Sequence, residues 1–222
     1  MSPPGLRERK NNRGATPLHT PAQIPNETHP QIPLKTHLGK LEVLYKLTIS
    51  YPELTDDDLK ALPPLPKLKR LGLAQTQITD ESLQFIAPMR ALEYLDLCST
   101  NVRGPGFAHL TQLSHLEELH MTNSLLDDSA MPFITKNFRR LRRFDFVDTK
   151  VTEEGFLQLA ELPWLVGIGA PNELGRSSEA SQSRQRRREL MDKYLDLYDK
   201  AKKKARAAGE EVPADHIAPF NR

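Results

Sequence analysis

The sequence predicts an α/β solenoid: a right-handed superhelix of strand–turn–helix units with a parallel sheet on its concave side and helices on its convex side. Three observations carry this. A Leu-x-x-Leu-x-Leu triplet recurs as Leu44, Leu47, Ile49, then Leu68, Leu71, Leu73, then Leu92, Leu95, Leu97, then Leu116, Leu119, Met121, and then Leu141, Phe144, Phe146. A partial copy, Leu165, Ile168, Ala170, ends the series, and the steps are 24, 24, 24, 25 and 24 residues. Three residues after the last strand position stands a hydroxyl (Thr76, Thr100, Ser124, Thr149), with Pro52 the exception. A second apolar triplet follows at helical spacing, as in Leu59, Leu62, Leu65, in Leu83, Ile86, Met89 and in Phe156, Leu159, Leu162. A fixed period holding one strand pattern and one helix pattern describes units that bury their apolar stripes only by stacking.

Residues 1–33 hold Pro3, Pro4, Pro17, Pro21, Pro25, Pro30 and Pro33 among Asn, Thr and Arg, a composition that buries no core and predicts a disordered leader. Such a leader serves docking or export in one reading and is a loose terminus in the other. Leu34, Leu38 and Leu41 continue the helical stripe upstream, so 34–43 is expected to be a half-unit covering the open end.

The units proper are 44–67, 68–91, 92–115, 116–140, 141–164 and the partial 165–170. In each, the Leu-x-Leu alternation is that of a short strand with leucines on one side. The turn hydroxyl is placed to bond loop backbone groups that would otherwise be buried unpaired. Leu54-Thr55-Asp56, Ile78-Thr79-Asp80 and Val151-Thr152-Glu153 each give an apolar residue, a helix N-cap and an acid suited to the positive end of the helix dipole. The third unit substitutes Arg103-Gly104-Pro105, with Pro fitting the first helical turn. The fourth accommodates one extra residue near Thr135–Phe138.

Residues 171–178 form a linker by composition, and 179–208, rich in helix formers without Pro or Gly, predict a long helix. Its apolar face is Leu190, Tyr194, Leu197, Tyr198, Ala201 and Ala205; Gly209 stops it and 209–222 is an irregular tail.

Net charge is +2 overall but unevenly spread: 13 basic against 17 acidic residues over 44–170, and 11 against 5 over 176–206. The single cysteine, Cys98, excludes an internal disulfide framework and fits a reducing compartment. No apolar run approaches a membrane span and no secretory h-region follows the basic N-terminus, so the expected location is the cytoplasm.

The Leu-x-x-Leu-x-Leu-x-x-Thr-x-Ile-Thr-Asp form over about 34–170 resembles the leucine-rich repeat family, in particular its short bacterial class with Thr in the turn, abundant in planctomycetes. It is also similar to the cysteine-containing class, whose repeats usually run longer and carry Cys where Thr stands here. The resemblance implies protein binding through the concave sheet. On that face the residues between the strand leucines align across neighbouring strands. The candidates are Arg70, Tyr94, Asp96, Glu118, His120, Arg143 and Asp145, an aromatic and arginines within a charged cluster. The plainer alternative is that Glu118 and Arg143 merely pair across strands as a solubilising row.

The long helix also has two readings. Its Leu/Tyr face caps the last strand in one; in the other, Arg184, Arg186, Arg187, Arg188, Lys202, Lys203 and Lys204 form a patch for nucleic acid or another anionic partner. A secreted effector or adaptor is a third possibility.

No catalytic constellation emerges. Gly167-Ile-Gly169 lacks the third glycine of a dinucleotide loop, His115 and His120 do not share a metal-ligand face, and HExxH, CxxC, GxSxG and GxxxxGK[ST] are absent. Cys98 has no nameable activating base. The sequence therefore predicts a non-enzymatic interaction module, with no cofactor, metal or small-molecule substrate.

Overall fold

The computed structural model describes residues 43–63, 65–170 and 180–212, with side chains of 180–184 left undescribed. The predicted leader (1–33), nearly all of the N-terminal half-unit (34–43), the linker and most of the tail lie outside these residues. The chain is α/β. Six short strands, β1 (Lys46–Thr48), β2 (Arg70–Gly72), β3 (Tyr94–Asp96), β4 (Glu118–His120), β5 (Arg143–Asp145) and β6 (Gly167–Gly169), form one parallel sheet in sequence order. Between them run α1 (Asp56–Lys60), α2 (Leu83–Ile86), α3 (Met131–Asn137) and α4 (Glu153–Gln158), together with 3-10 turns at Asp80–Ser82, Pro105–His109, Asp128–Ala130 and Leu159–Glu161. The last helix, α5, spans Ala180–Ala207, within a residue of the 179–208 expected at each end.

The strands are only three residues long because each supplies a single rung, and the register does the rest. Leu47, Leu71, Leu95, Leu119, Phe144 and Ile168 are paired one to the next along the sheet. From Leu71 to Phe144 each is fully buried; a buried Leu contributes about 1.5–3 kcal/mol relative to exposure. The extra residue of the fourth unit leaves the Leu119–Phe144 register intact and falls in the longer helix α3, where Thr135 is buried and its Oγ1 donates to the Pro132 carbonyl at 3.4 Å. At the first strand the packing thins: Leu47 and Ile49 are half-buried and Val43 and Tyr45 are exposed.

The turn hydroxyls act as expected. Thr76, Thr100 and Thr149 donate to the carbonyls of Leu73, Leu97 and Phe146 at 2.7, 2.7 and 2.8 Å, and Ser124 Oγ accepts the Leu126 N–H at 3.4 Å. Thr79 and Thr152 cap their helical turns by accepting from the N–H of Glu81 and Glu154, each at 3.2 Å.

All three acids after the caps stand in the first turn as the sequence suggests, and two of them, Asp56 and Asp80, also reach into the next unit. Asp56 accepts from Thr79 N–H (2.9 Å), from Thr79 Oγ1 (2.7 Å) and from Ser82 Oγ. Asp80 accepts from the N–H groups of Arg103, Gly104 and Gly106 at 3.1, 2.9 and 2.9 Å. Asp128 does the same for Thr152 N–H at 2.8 Å. These carboxylates join successive units on the helical side, beside backbone bonds such as Gln77 N–H to Leu54 O at 2.9 Å and Asn101 N–H to Ile78 O at 3.0 Å.

Candidate functional site

Alternation along three-residue strands puts residues 1 and 3 of each strand on the sheet face away from the leucine core. Two rows result. One runs Lys46, Arg70, Tyr94, Glu118, Arg143, Gly167; the other runs Thr48, Gly72, Asp96, His120, Asp145, Gly169. All seven predicted site residues are in these rows.

Five of them make a continuous chain over four strands. The Arg70 guanidinium lies 3.9 Å from the Tyr94 ring centroid. Tyr94 leans diagonally to His120, with centroids 5.0 Å apart and planes tilted by 40°. His120 Nδ1 stands 2.9 Å from Asp145 Oδ2, and the same oxygen accepts Arg143 Nε at 3.1 Å. Glu118 borders the chain, its Oε2 3.5 Å from His120 Nε2, and that nitrogen is buried without a hydrogen-bond partner among the described residues. Asp96 turns aside, its Oδ1 accepting the Cys98 N–H at 3.0 Å. Gly169 makes room for the arrangement, because a Cβ there would fall 2.6 Å from Asp145 Oδ1. The cross-strand Glu118–Arg143 pair expected of a simple charge row does not form; Arg143 turns to Asp145 on its own strand. Cross-strand ion pairs occur instead one position earlier, between Lys69 and Glu93 (2.6 Å) and between Arg142 and Glu117 (3.6 Å).

The electrostatics favour the neutral forms of one phenol and one thiol at this face. Burial, then the charge of Asp96, pushes the Tyr94 phenol up. Burial, then a hydrogen bond and charge from Asp96, pushes the Cys98 thiol up to about 12, so it stays an unreactive thiol near neutrality. Among the described residues, no group of three or more His, Cys, Asp or Glu is placed to hold a metal ion, and no helix is long and apolar enough to cross a membrane.

The second predicted site needs correction. In α5, Lys202 is only 6% exposed, with Nζ 5.6 Å from the Tyr198 ring centroid, so it does not contribute to a surface patch. It falls one helical turn after Tyr198, on the buried side, where its aliphatic stem packs. Arg186 is engaged by Glu153 at 3.0 Å. Arg187, Arg188, Lys203 and Lys204 are exposed, and the Arg184 side chain lies outside the described residues. Leu197, assigned above to the apolar face, sits at its rim, 36% exposed. The face packs chiefly on α4 and Leu159–Glu161, the helical side of the last unit, rather than on strand β6. Tyr194 stacks near Phe156 (5.0 Å) and Tyr198 donates to the Pro163 carbonyl at 2.9 Å.

The repeat pattern gives no weight to one further cluster, Arg139, Arg140, Arg142 and Trp164 at the approach to β5 and β6. Its sequence signal is the density of arginine before Phe144. No family model matches the sequence, and no curated protein matches it.

Proposed function

We propose that the chain is a leucine-rich-repeat solenoid that binds a protein partner, without catalysis, through the concave face of its parallel sheet. One observation carries the reading: Arg70, Tyr94, His120, Asp145 and Arg143 are linked across four strands on the face that the core does not use. Arginine and tyrosine held by neighbours lose little side-chain entropy on binding, which is the property of interface anchors. The fixed step between strands supports the solenoid part of the reading, since it makes every unit a neighbour of the next. The high thiol pKa of Cys98 favours a bystander over a nucleophile, and a lone cysteine suits a reducing location such as the cytoplasm.

The test replaces Tyr94, His120 and Arg143 together with Ala and compares partner capture in cell extract by affinity purification and mass spectrometry. The expected result is loss of specific partners with an unchanged circular dichroism spectrum. Retention of the same partners would show that this face is not the binding surface.

A further inference from the structure

Arg139, Arg140, Arg142 and Arg143 take four of the five positions between Phe138 and Phe144. Phe138, Leu141 and Phe144 are fully buried, so core packing directs the arginines outward. Arg143 belongs to the sheet face. Arg139 donates to the Glu161 carbonyl at 2.7 Å and pairs with Glu210 at 2.9 Å. Arg142 stands 5.2 Å from the Trp164 ring centroid. Arg140 is exposed and has no ion-pair partner among the described residues. Arg140, Arg142, Trp164, Glu117 and Glu211 line one cavity of about 210 Å³. That is smaller than the ~300–1,000 Å³ of a drug-sized site and suits a single carboxylate-bearing side chain.

The chain itself places an acidic segment at the edge of the cluster. Past the end of α5, Glu210 and Glu211 lie across it. The Glu210 carboxylate meets Arg139, and the Glu211 carbonyl accepts the indole N–H of Trp164 at 2.9 Å. The Arg139 and Glu210 side chains are 40% and 48% exposed, a setting in which an ion pair is weak and readily exchanged.

We propose that Arg139, Arg140, Arg142 and Trp164 form a docking site for an extended acidic peptide of a partner protein, occupied in the free chain by its own Glu210-Glu211 segment. Arg140 offers a guanidinium fork that is unpaired among the described residues, Arg142 offers one shared with Glu117 at 3.6 Å, and Trp164 walls the cavity with an aromatic plane. With the Glu210-Glu211 segment displaced, Arg139, Arg140 and Arg142 outnumber Glu117, a small positive surplus that suits a few spaced carboxylates. The site uses none of the seven sheet-face candidates, so it stands apart from the function proposed above.

Trp164 is the only tryptophan, so its emission reports on this cavity directly. The full chain is titrated with a decapeptide of alternating Glu and Ser, with a Lys/Ser decapeptide, inorganic phosphate and a single-stranded oligonucleotide in parallel. The expected result is a saturable change with the acidic peptide that weakens at high salt. Glu210→Gln, which frees Arg139, tightens binding about threefold. Arg140→Ala weakens it about fivefold or more without moving the melting temperature. The proposal is overturned by the absence of saturation, by equal affinity for the Lys/Ser peptide, or by tighter binding of phosphate or the oligonucleotide. An affinity indifferent to Glu210→Gln or to Arg140→Ala overturns it as well.

Discussion

Asp80 and Gly106, 26 residues apart, meet so closely that no side chain fits between them: the Gly106 N–H donates to Asp80 Oδ1 at 2.9 Å, and a Cβ on Gly106 would fall 2.5 Å from the Asp80 carbonyl oxygen. Because the obstacle is backbone, it cannot swing away as a side-chain tip would. In an ordinary exposed helix, Gly→Ala stabilises by about 1 kcal/mol. Here Gly106→Ala is expected to destabilise by about 1–3 kcal/mol, the range for overpacking a tight site. Urea unfolding of the two chains decides the sign, and a stability equal to or above that of the parent would mean that the contact between units two and three yields freely.

The same relay sets a pH dependence. Burial alone would push the Asp56 carboxyl up, but the hydrogen bonds from Ser82 and from the Thr79 backbone and hydroxyl outweigh it and hold it below the ordinary range. A depressed folded-state value means that its stabilisation is complete above the unfolded value of about 3.9 and is lost as pH falls through the lower, folded value. The parent should therefore exceed Asp56→Ala in stability at pH 7 and at pH 5, with the gap closing at pH 3 and below. A gap independent of pH would show that the carboxylate charge is not what joins the first two units.

Tyr194 packs at 0% exposure against Phe156, yet its hydroxyl has no hydrogen-bond partner among the described residues. Burial pushes this phenol up. An unsatisfied buried hydroxyl costs about 1–3 kcal/mol, so Tyr194→Phe, which keeps the ring, should raise stability by about 1 kcal/mol. Tyr194→Ala should lower it by about 3–5 kcal/mol through the cavity it leaves. Thermal unfolding of the pair tests whether α5 is part of the cooperative fold: if neither substitution moves the transition, the helix melts independently.

The sheet was legible because its signal is redundant. Leu71, Leu95, Leu119 and Phe144 state one register four times over, and a single insertion could be absorbed in α3 without disturbing it. The turn hydroxyls were legible for the same reason. What escaped is everything set by contacts one period apart on the helical side. Asp56 and Asp80 look like N-terminal helix acids until the neighbouring unit is in place. The left-handed backbone at Gln75, Ser99, Asn123 and Asp148 also escaped. Asn and Asp favour that region but Gln and Ser carry little signal for it. At Lys202 charge argues for solvent, whereas helical phase puts it one turn beyond buried Tyr198. On the candidate face, the sequence aligned the residues into rows. It could not show that Tyr94 leans diagonally to His120, or that Arg143 chooses Asp145 over Glu118, since those depend on side-chain rotamers.

That last choice makes Asp145 the hinge of the candidate surface. One oxygen, Oδ2, holds His120 at 2.9 Å and Arg143 at 3.1 Å, while the Arg143 side chain is 60% exposed. The exposed Arg143 pair contributes about 0–1 kcal/mol to folding, but the His120 and Asp145 side chains are only 17% and 22% exposed. Asp145→Ala, which strips His120 Nδ1 of its partner, should therefore lower stability by about 1–3 kcal/mol while leaving the chain folded. It should also release both anchors, seen by NMR as faster exchange of the Arg143 Nε–H and altered His120 ring resonances. If the face binds a partner through preorganised anchors, capture should fall by about tenfold, corresponding to about 1.4 kcal/mol, although Asp145 itself need not touch the partner. Asp145→Asn keeps an oxygen acceptor and should recover part of that loss. Capture that is indifferent to Asp145→Ala while the NMR signals respond would separate the network from binding, and would leave the rows of charge on this sheet with solubility as their role.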